Sequence, residues 1–318
     1  MVGAGDKRRL DGGRPMPYRY AILDVFTDRA LAGNPLAVLP EAAGLSDAQM
    51  QAIAAEFNLS ETVFVLPSAN PIHSARVRIF TPRSELPFAG HPTVGTAVYL
   101  AMAKFAERGE GRHEGVLVLD EKIGPVRCGV FVTGGPSGHA MFDVPKLPEA
   151  VPATLDLEMV AAAFGLTRAE LGFENHRPSA YTAGLAFAFV PVRDLSVIAR
   201  ARPDAARMAT AFGPNSLPAF LYCRQTEATG HDFHARMFAP GFGISEDPAT
   251  GSAAAAFAAV VQQFDRPPAG SHRYVIEQGF EMKRPSLITL EIDVEGGAVA
   301  AARIGGDAIV VAEGTLDI

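Results

Sequence analysis

The strongest constraint on the fold is a repeat, because one motif of this chain occurs twice. Residues 78–100 read RIFTPRSELPFAGHPTVGTAVYL, and residues 236–258 read RMFAPGFGISEDPATGSAAAAFA. In both copies an apolar, strand-like segment is followed by a loop that contains proline and then by a stretch of small residues. The loops between the matched parts differ by only two residues. The repeat predicts two similar halves, each of which presents the N-terminus of a helix.

Two prolines mark the expected helix starts. Pro92 and Pro248 suit the first helical position, where no N–H is needed and φ is already set. Asp247 directly before Pro248 is a common N-cap residue. The sequence therefore predicts helices over residues 92–108 and 248–264. Residues 253–256 are all alanine, and a helix without bulk on any face must be enclosed closely, as at the axis of a curled sheet.

Strand-like segments surround both helices, which predicts an α+β fold of two lobes. Each lobe is expected to be a barrel-like, mixed β-sheet wrapped around one central α-helix. We expect residues 17–134 to form the N-terminal lobe and residues 135–318 the C-terminal lobe, while the last strand can belong to either. Residues 1–16 are polar and glycine-rich. Because no apolar segment follows Lys7, we interpret them as a disordered extension and not as a secretory signal.

Charge and cysteine content exclude several classes of protein. The net charge is −7 and no long basic run occurs, which argues against a nucleic-acid-binding protein. The two cysteines, Cys128 and Cys223, are far apart in sequence, so a disulfide framework is excluded and a reducing, cytoplasmic location fits. No uninterrupted apolar run is long enough for a transmembrane helix, so no membrane association is expected.

Cofactor motifs are absent from the sequence. It has no phosphate-binding loop, no dinucleotide fingerprint, no Gly-Xaa-Ser-Xaa-Gly and no Cys-Xaa-Xaa-Cys. His231 and His234 are three residues apart in a predicted strand region and are expected to face opposite sides, which disfavours a metal site. We therefore expect neither a metal nor any other cofactor.

The two helix N-termini are the strongest candidates for a binding site. Free backbone N–H groups near Gly90 and His91, and near Gly251 and Ser252, would face a shared cleft, where the helix dipoles add partial positive charge. Such a site binds an anion without lysine, so a small carboxylate is the natural ligand. His91 and Asp247 are the titratable residues within reach of that ligand.

Glu61 is the third titratable candidate. It follows Asn58-Leu59-Ser60 at a turn before an apolar strand. Burial in an apolar cleft would raise its pKa and make it a usable acid or base near neutral pH.

Structural roles also explain the same residues. Asp247 can be a helix cap, His91 a hydrogen-bonded loop histidine, and Glu61 a solvated residue after a turn. Gly90 and Gly251 can serve only tight turns and close packing. The matched positions of His91 and Asp247 in the two copies favour a functional role without deciding it.

Beyond these residues, the sequence resembles the PhzF family of phenazine-biosynthesis isomerases and their relatives. The resemblance runs from about Tyr20 to the C-terminus. It is carried by residues 24–26 (DVF) with 33–35 (GNP), 58–61 (NLSE), 78–82 (RIFTP) with 86–92 (LPFAGHP), and 246–253 (EDPATGSA). It implies a fold like that of diaminopimelate epimerase and a cofactor-independent biosynthetic isomerase that is usually a homodimer.

The resemblance also implies roles for the candidate residues. Glu61 is the implied proton-transfer residue, with His91 and Asp247 as its partners. The implied residues near the substrate are Gly90, Gly251 and Ser252.

One departure from the wider fold group bears on the chemistry. Diaminopimelate epimerases and proline racemases place a cysteine at each helix N-terminus, whereas neither copy of the motif contains cysteine here. A single carboxyl that moves a proton within a small carboxylate-bearing metabolite is therefore the favoured reading. Two alternatives stay open: an epimerase or racemase that uses Glu61 and Asp247 as opposed bases, and a non-catalytic protein that binds a metabolite.

Overall fold

The computed structural model describes residues 17–106, 109, 111–213 and 217–318. The expected extension at residues 1–16 and the end of the expected helix 92–108 lie outside the described residues. The helices are α1 Asp47–Phe57, α2 Gly90–Phe105, α3 Leu157–Ala163, α4 Leu195–Arg200, α5 Ala205–Ala211 and α6 Gly251–Phe264. The strands are β1 Tyr18–Val25, β2 Asn34–Leu39, β3 Glu61–Leu66, β4 Ala75–Phe80, β5 Glu85–Leu86, β6 His113–Glu121, β7 Gly124–Val132, β8 Ser137–Asp143, β9 Glu149–Ala150, β10 Ser179–Thr182, β11 Ala186–Pro191, β12 Ala219–Cys223, β13 Phe233–Ala239, β14 Ile244–Asp247, β15 Gly270–Gln278, β16 Ser286–Glu295 and β17 Ala298–Leu316.

The strands of the first half close into a ring around α2. In order around the ring they are β1, β2, β3, β4, β6, β7, β8 and β17, and β17 pairs back onto β1. Inward residues alternate with outward ones, as a strand with one buried face requires. In β7 the buried residues, which alternate with exposed or half-buried ones, are Val126, Cys128, Val130 and Val132. The helix inside contacts strands on every side of this ring.

The second half builds a similar shell around α6. Strands β10, β11, β12, β13, β15, β16 and β17 pair in that order, with β9 on β10. The alanines at 253–256 are buried, so strands approach the helix closely. Phe257 of α6 packs edge-on against Tyr222 and Phe233, with ring centroids 4.8 Å apart in both pairs. The predicted α+β fold, with a helix inside each of two barrel-like sheets, is confirmed.

The last strand joins the two halves. Residues 298–305 of β17 pair with β16, residues 303–309 pair with β8, and residues 308–316 pair with β1. Strand β8 also pairs with β7, so the pairing of the first half continues past residue 134. The division of the chain at residues 134 and 135 stays a prediction.

Polar contacts repeat between the halves as the sequence does. Arg78 donates from Nε and Nη2 to both carboxylate oxygens of Glu85, at 2.8 and 3.0 Å. Arg236 donates from the same two atoms to Glu246, at 2.8 and 2.9 Å. Each bidentate pair ties the strand of the motif to the short strand after it, and the geometry is that of strong charge-assisted hydrogen bonds.

A second repeated contact corrects the expectation for the histidine pair. His73 lies 2.6 Å from Asp120 in the first half, and His231 lies 2.6 Å from Glu277 in the second. His234 also contacts Glu277, at 2.8 Å, so the prediction that His231 and His234 face opposite sides was wrong. The reason is that His231 precedes β13 and does not follow the alternation of the strand.

The helix starts also differ from the prediction. Helix α2 begins at Gly90, two residues before Pro92, and α6 begins at Gly251, three residues after Pro248. Asp247 is therefore not the N-cap of α6; it is the last residue of β14, and Thr250 is the N-cap. Side-chain contacts to residues 247–250, described below, hold this segment outside the helix.

None of the helices in the described ranges has the length and apolar character that a membrane span requires.

Candidate active site

The N-termini of the two central helices meet backbone to backbone. A Cβ placed on Gly90 would lie 2.7 Å from the Cα of Gly251, and one placed on Gly251 would lie 3.0 Å from the Cα of Gly90. The backbone N of Ser252 would lie 3.0 Å from the same Cβ placed on Gly90. The two helix ends therefore face one place, as the repeat predicts, and only glycine fits this contact.

Glu61 lies beside this meeting point as the first residue of β3. Its side chain is buried, and Oε2 lies 3.3 Å from Nε2 of His91. That contact lacks hydrogen-bond geometry, and neither atom has a hydrogen-bond partner among the residues that the structure describes. Burial, with the nearby carboxylate of Asp247 as the second cause, raises the pKa of Glu61 to about 8. A carboxyl with this pKa takes up and releases a proton near neutral pH.

His91 is the second residue of α2 and is only 4% exposed. Burial lowers its pKa to about 3, so the ring is neutral at physiological pH. The contact between His91 and Glu61 is therefore one between two neutral groups and not an ion pair.

Asp247 accepts hydrogen bonds on both carboxylate oxygens. Nδ2 of Asn34 donates to Oδ1 at 2.9 Å, and Oγ1 of Thr250 donates to Oδ2 at 2.5 Å. Burial raises the pKa of Asp247 to about 6, because it outweighs these hydrogen bonds, which favour the ionised form. The structure thus brings Glu61, His91 and Asp247 together, although they are distant in sequence.

Three residues of this site were not recognised in the sequence: Asn34, Thr250 and Gln278. Gln278 accepts from the backbone N of Thr250 at 3.1 Å and donates to the carbonyl of Asp247 at 2.8 Å and to Oγ1 of Thr250 at 3.0 Å. These bonds hold residues 247–250 outside α6. Asn34 belongs to the Gly-Asn-Pro turn, where asparagine is an ordinary turn residue. Its complete burial would mark it as a site residue, but burial cannot be read from the sequence.

Glu121 is the counterpart of Gln278 in the first half. The paired strands that carry them, β4 with β6 and β13 with β15, have the same parallel register, and the repeat then matches Glu121 to Gln278. Oγ1 of Thr93, in the first turn of α2, lies 2.7 Å from Glu121 Oε1 and 2.7 Å from the carbonyl of Ala89. A hydroxyl has one proton to donate, and Thr93 can give it to only one of these two oxygens. Both contacts are hydrogen bonds when the carboxyl of Glu121 is protonated and donates to Oγ1 of Thr93. Burial raises the pKa of Glu121 to about 8, which agrees with a protonated carboxyl at neutral pH.

Glu61 has no such counterpart. Thr62 pairs with Phe80 in the first half, and Ala219 pairs with Phe238 in the second. Since the repeat matches Phe80 to Phe238, the residue that corresponds to Glu61 is Pro218. The two halves therefore supply one glutamate and not a symmetric pair.

Neither cysteine is placed to act as a base. Both thiols are buried, and burial raises the pKa of Cys223 to about 12 and that of Cys128 further.

In the part of the chain that the structure describes, Glu174, His176 and Asp265 form a group that could hold a metal ion. The guanidinium of Arg224 already occupies this group, with Nη2 at 2.5 Å from Asp265, 3.3 Å from Glu174 and 3.3 Å from His176. A cation is thus supplied by the chain itself. The expectation that the protein needs no metal stays a prediction.

Comparison with known sequences gives consistent matches over almost the whole chain. Residues 23–314 match the family model described as phenazine biosynthesis-like protein, PhzC-PhzF. An uncharacterized isomerase of Mesorhizobium japonicum is 50% identical over 94% of this chain and 98% of its own length. The trans-2,3-dihydro-3-hydroxyanthranilate isomerase of Pseudomonas aeruginosa is 33% identical over 93% of this chain and 98% of its own.

Solved structures agree with the fold. A PhzF-family protein of Bacillus anthracis superimposes with a TM-score of 0.83 at 25% identity, over 95% of this chain and 99% of the other. A hydroxyproline epimerase of Agrobacterium vitis superimposes with a TM-score of 0.60 at 15% identity, over 94% and 91%. The second likeness concerns the fold alone.

Proposed function

This chain belongs to the phenazine biosynthesis-like (PhzC-PhzF) family and is an isomerase, and we propose that it moves a proton between two carbon atoms of a small, unsaturated carboxylate. The observation that carries the proposal is the buried carboxyl of Glu61, which lies 3.3 Å from His91 in the first turn of α2. Its pKa of about 8 suits a group that must first take a proton and then return it. The relatives named for a dihydro-hydroxyanthranilate act on a molecule of this class.

The proposed reaction has two steps that together conserve every atom. The ionised carboxylate of Glu61 removes a proton from one carbon, and the electron pair of the broken C–H bond enters the conjugated system of the substrate. The neutral carboxyl of Glu61 then gives the proton to a second carbon of that system, and the electron pair forms the new C–H bond.

The helix N-termini supply the binding energy for the anion. Helix dipoles and the first backbone N–H groups of α2 and α6, at Gly90, Gly251 and Ser252, which have no acceptor within their own helix, favour negative charge at this place. The substrate carboxylate is proposed to bind there, and the same donors stabilise charge that develops when Glu61 removes the proton, which is a preorganised electrostatic contribution. His91 and Asp247 are proposed to orient the substrate.

The absence of a second glutamate favours this reaction over racemisation by two opposed bases. Pro218 stands where the second half would carry a partner for Glu61. Asp247, the other candidate base, has both oxygens engaged by Asn34 and Thr250. A single acid/base suits transfer along one face of a substrate, whereas inversion at one carbon needs groups on two faces.

Turnover in D₂O tests the proposal. A panel of small unsaturated carboxylates, beginning with trans-2,3-dihydro-3-hydroxyanthranilate, is incubated with the protein, and product and deuterium position are read by NMR. A shifted double bond with deuterium at the receiving carbon supports the proposal. Inversion at a single carbon would instead support the racemase, and no product and no exchange with any member would overturn the substrate class.

Glu61→Gln tests the role of the carboxyl with little change of shape. We expect activity to fall by at least about 10²-fold, within the usual contribution of a general acid or base. Glu56→Gln, the same change at an exposed position of α1, is the control and should keep full activity. If Glu61→Gln kept more than about a tenth of the activity, which is far above that expectation, another residue would be the base.

A further inference from the structure

Asn34, the first residue of β2, connects the two lobes inside the site. It is completely buried, and its Nδ2 lies 2.9 Å from Oδ1 of Asp247, 2.9 Å from the carbonyl of Ala249 and 3.3 Å from Nδ1 of His91. The orientation of this amide is determined by its surroundings. If it were rotated by half a turn, its oxygen would face the oxygens of Asp247 and Ala249, which have no proton to donate when Asp247 is ionised.

The orientation of Asn34 determines where His91 carries its proton. An amide nitrogen donates hydrogen bonds and does not accept them. A proton on Nδ1 of His91 would therefore point at the N–H groups of Asn34. A neutral imidazole has one bare nitrogen and one N–H, so bare Nδ1 places the proton on Nε2, and Nε2 faces Oε2 of Glu61 at 3.3 Å.

The backbone before Asn34 is clamped from the other lobe. Arg284 donates to the carbonyls of Ala32 at 2.6 Å and Gly33 at 2.7 Å, and to the carboxylate of Asp24 at 2.5 Å. Gly33 has φ +65° and donates to the carbonyl of Pro285 at 3.2 Å. Asn34 thus has a fixed position relative to both lobes, and its amide is a rigid partner for His91.

We propose that Asn34 is the positioning residue that keeps His91 neutral with its proton on Nε2, so that His91 acts on Glu61 or on the substrate as a hydrogen-bond donor and not as a base. The effect of Asn34 on catalysis rests on the proposed function, whereas its effect on the protonation of His91 does not depend on that function. Asn34 thereby separates the roles of the two groups, because Glu61 transfers the proton while His91 keeps its own. The second half has no equivalent of this residue, since the strand registers match Asn34 to Leu185, which has no side-chain amide.

The state of His91 can be measured without a substrate. Long-range ¹H–¹⁵N correlation spectra of ligand-free protein labelled with ¹⁵N-histidine separate bare from protonated ring nitrogens, and loss of the signal in His91→Gln assigns it. We expect the wild type at neutral pH to show bare Nδ1 and protonated Nε2. In Asn34→Asp an oxygen replaces the amide nitrogen, and the two neighbouring carboxyl groups at positions 34 and 247 share a proton. That oxygen can accept from Nδ1–H, so Nδ1 is expected to become protonated.

The matched control is Asn70→Asp. Asn70 also contacts a histidine, with Nδ2 3.0 Å from Nε2 of His73, but it lies on a loop outside the site. This control should leave the His91 spectrum and the rate of exchange in D₂O unchanged, while Asn34→Asp should lower kcat by about 10²-fold, the usual cost of a misplaced catalytic group. If Asn34→Asp does not fold, Asn34→Ala, which removes the donor, should show His91 in both neutral forms.

The two arms separate failure of this inference from failure of the proposed function. A wild-type His91 with a proton on Nδ1, or a spectrum that neither Asn34 variant changes, would overturn the role of Asn34 whatever the enzyme does. If the spectra behave as expected and no carboxylate is turned over, the role of Asn34 in holding His91 stands and the proposed reaction fails.

Discussion

Gly90 and Gly251 touch across the two lobes, with no room between their backbones for even a methyl group. A Cβ on Gly90 would come within 2.7 Å of Cα of Gly251 and 2.8 Å of its carbonyl carbon. Backbone atoms cannot move aside as the end of a flexible side chain can. The short distance between the two helix N-termini, and with it the shape of the proposed anion site, therefore requires glycine at both positions.

Gly90→Ala is thus expected to separate the helix N-termini. We expect a loss of activity of about 10²-fold, because a displacement near 1 Å is enough to misplace catalytic groups, together with weaker binding of the substrate carboxylate. Steady-state kinetics would show a lower kcat and a higher KM. Gly135→Ala is the control, because no heavy atom of the described residues beyond its chain neighbours lies within 4 Å of its Cβ position. A similar loss there would show that the effect is not specific to the contact.

Glu121→Gln is expected to change how stability depends on pH. Burial raises the pKa of Glu121 from 4.5 to about 8, so the folded protein keeps a proton that the unfolded chain releases. Its contribution to the free energy of unfolding therefore falls as pH rises from about 4.5 to about 8 and is constant above that range. Glutamine, the residue at the matching position 278, keeps a donor for Thr93 and does not titrate.

Urea unfolding at pH 5 and pH 8 measures this effect. The loss of stability between the two pH values should be smaller in Glu121→Gln than in wild type, by roughly 1–4 kcal/mol, given about 1.4 kcal/mol per pKa unit. Glu56→Gln, at an exposed site, should follow the wild type. Parallel behaviour of Glu121→Gln and wild type would show that Glu121 is ionised in the folded protein.

The pH dependence of kcat/KM should follow Glu61 if it begins the reaction as a base. The raised pKa of about 8 means that the reactive, ionised form is a minority below pH 8. We expect kcat/KM to rise about tenfold per pH unit toward pH 8 and then to level off, since this parameter reports the free enzyme. The apparent pKa belongs to Glu61 and Asp247 together, because their charges interact. A profile that is flat between pH 6 and pH 8 would contradict the assignment.

Loss of both thiols should leave activity intact. Cys128 and Cys223 are buried, and burial raises both pKa values, so neither thiol forms a reactive thiolate near neutral pH. The Cys128→Ser, Cys223→Ser double variant should match the wild type once circular dichroism shows that it is folded. A folded but inactive variant would instead support catalysis by thiols, as in the racemases.

A chelator should also leave the wild type active, because the proposed proton transfer uses side chains alone. Assays of the untreated and chelated enzyme on the same substrate check this. If the chelator abolished activity and added metal restored it, the reaction would depend on a bound metal ion.

The amino-acid sequence by itself determined the architecture of this protein. The repeated motif predicted two lobes with one central helix each, and the small residues at 253–256 predicted a closely enclosed helix. Neither prediction needs a long-range contact, because the first compares two stretches of the sequence and the second depends on the size of neighbouring residues. Even the repeated pairs of Arg78 with Glu85 and Arg236 with Glu246 lie within short stretches of chain.

Only the tertiary structure decided the protonation and partners of the site. Glu61, His91 and Asp247 were candidates in the sequence, but burial sets their pKa values, and burial depends on packing between lobes. Asn34 lies far from Asp247 in sequence, so nothing local predicts their hydrogen bond. The start of α6 was mispredicted for the same reason, because Gln278, supplied by a strand beyond the helix, holds Thr250 where a local pattern expected the first turn.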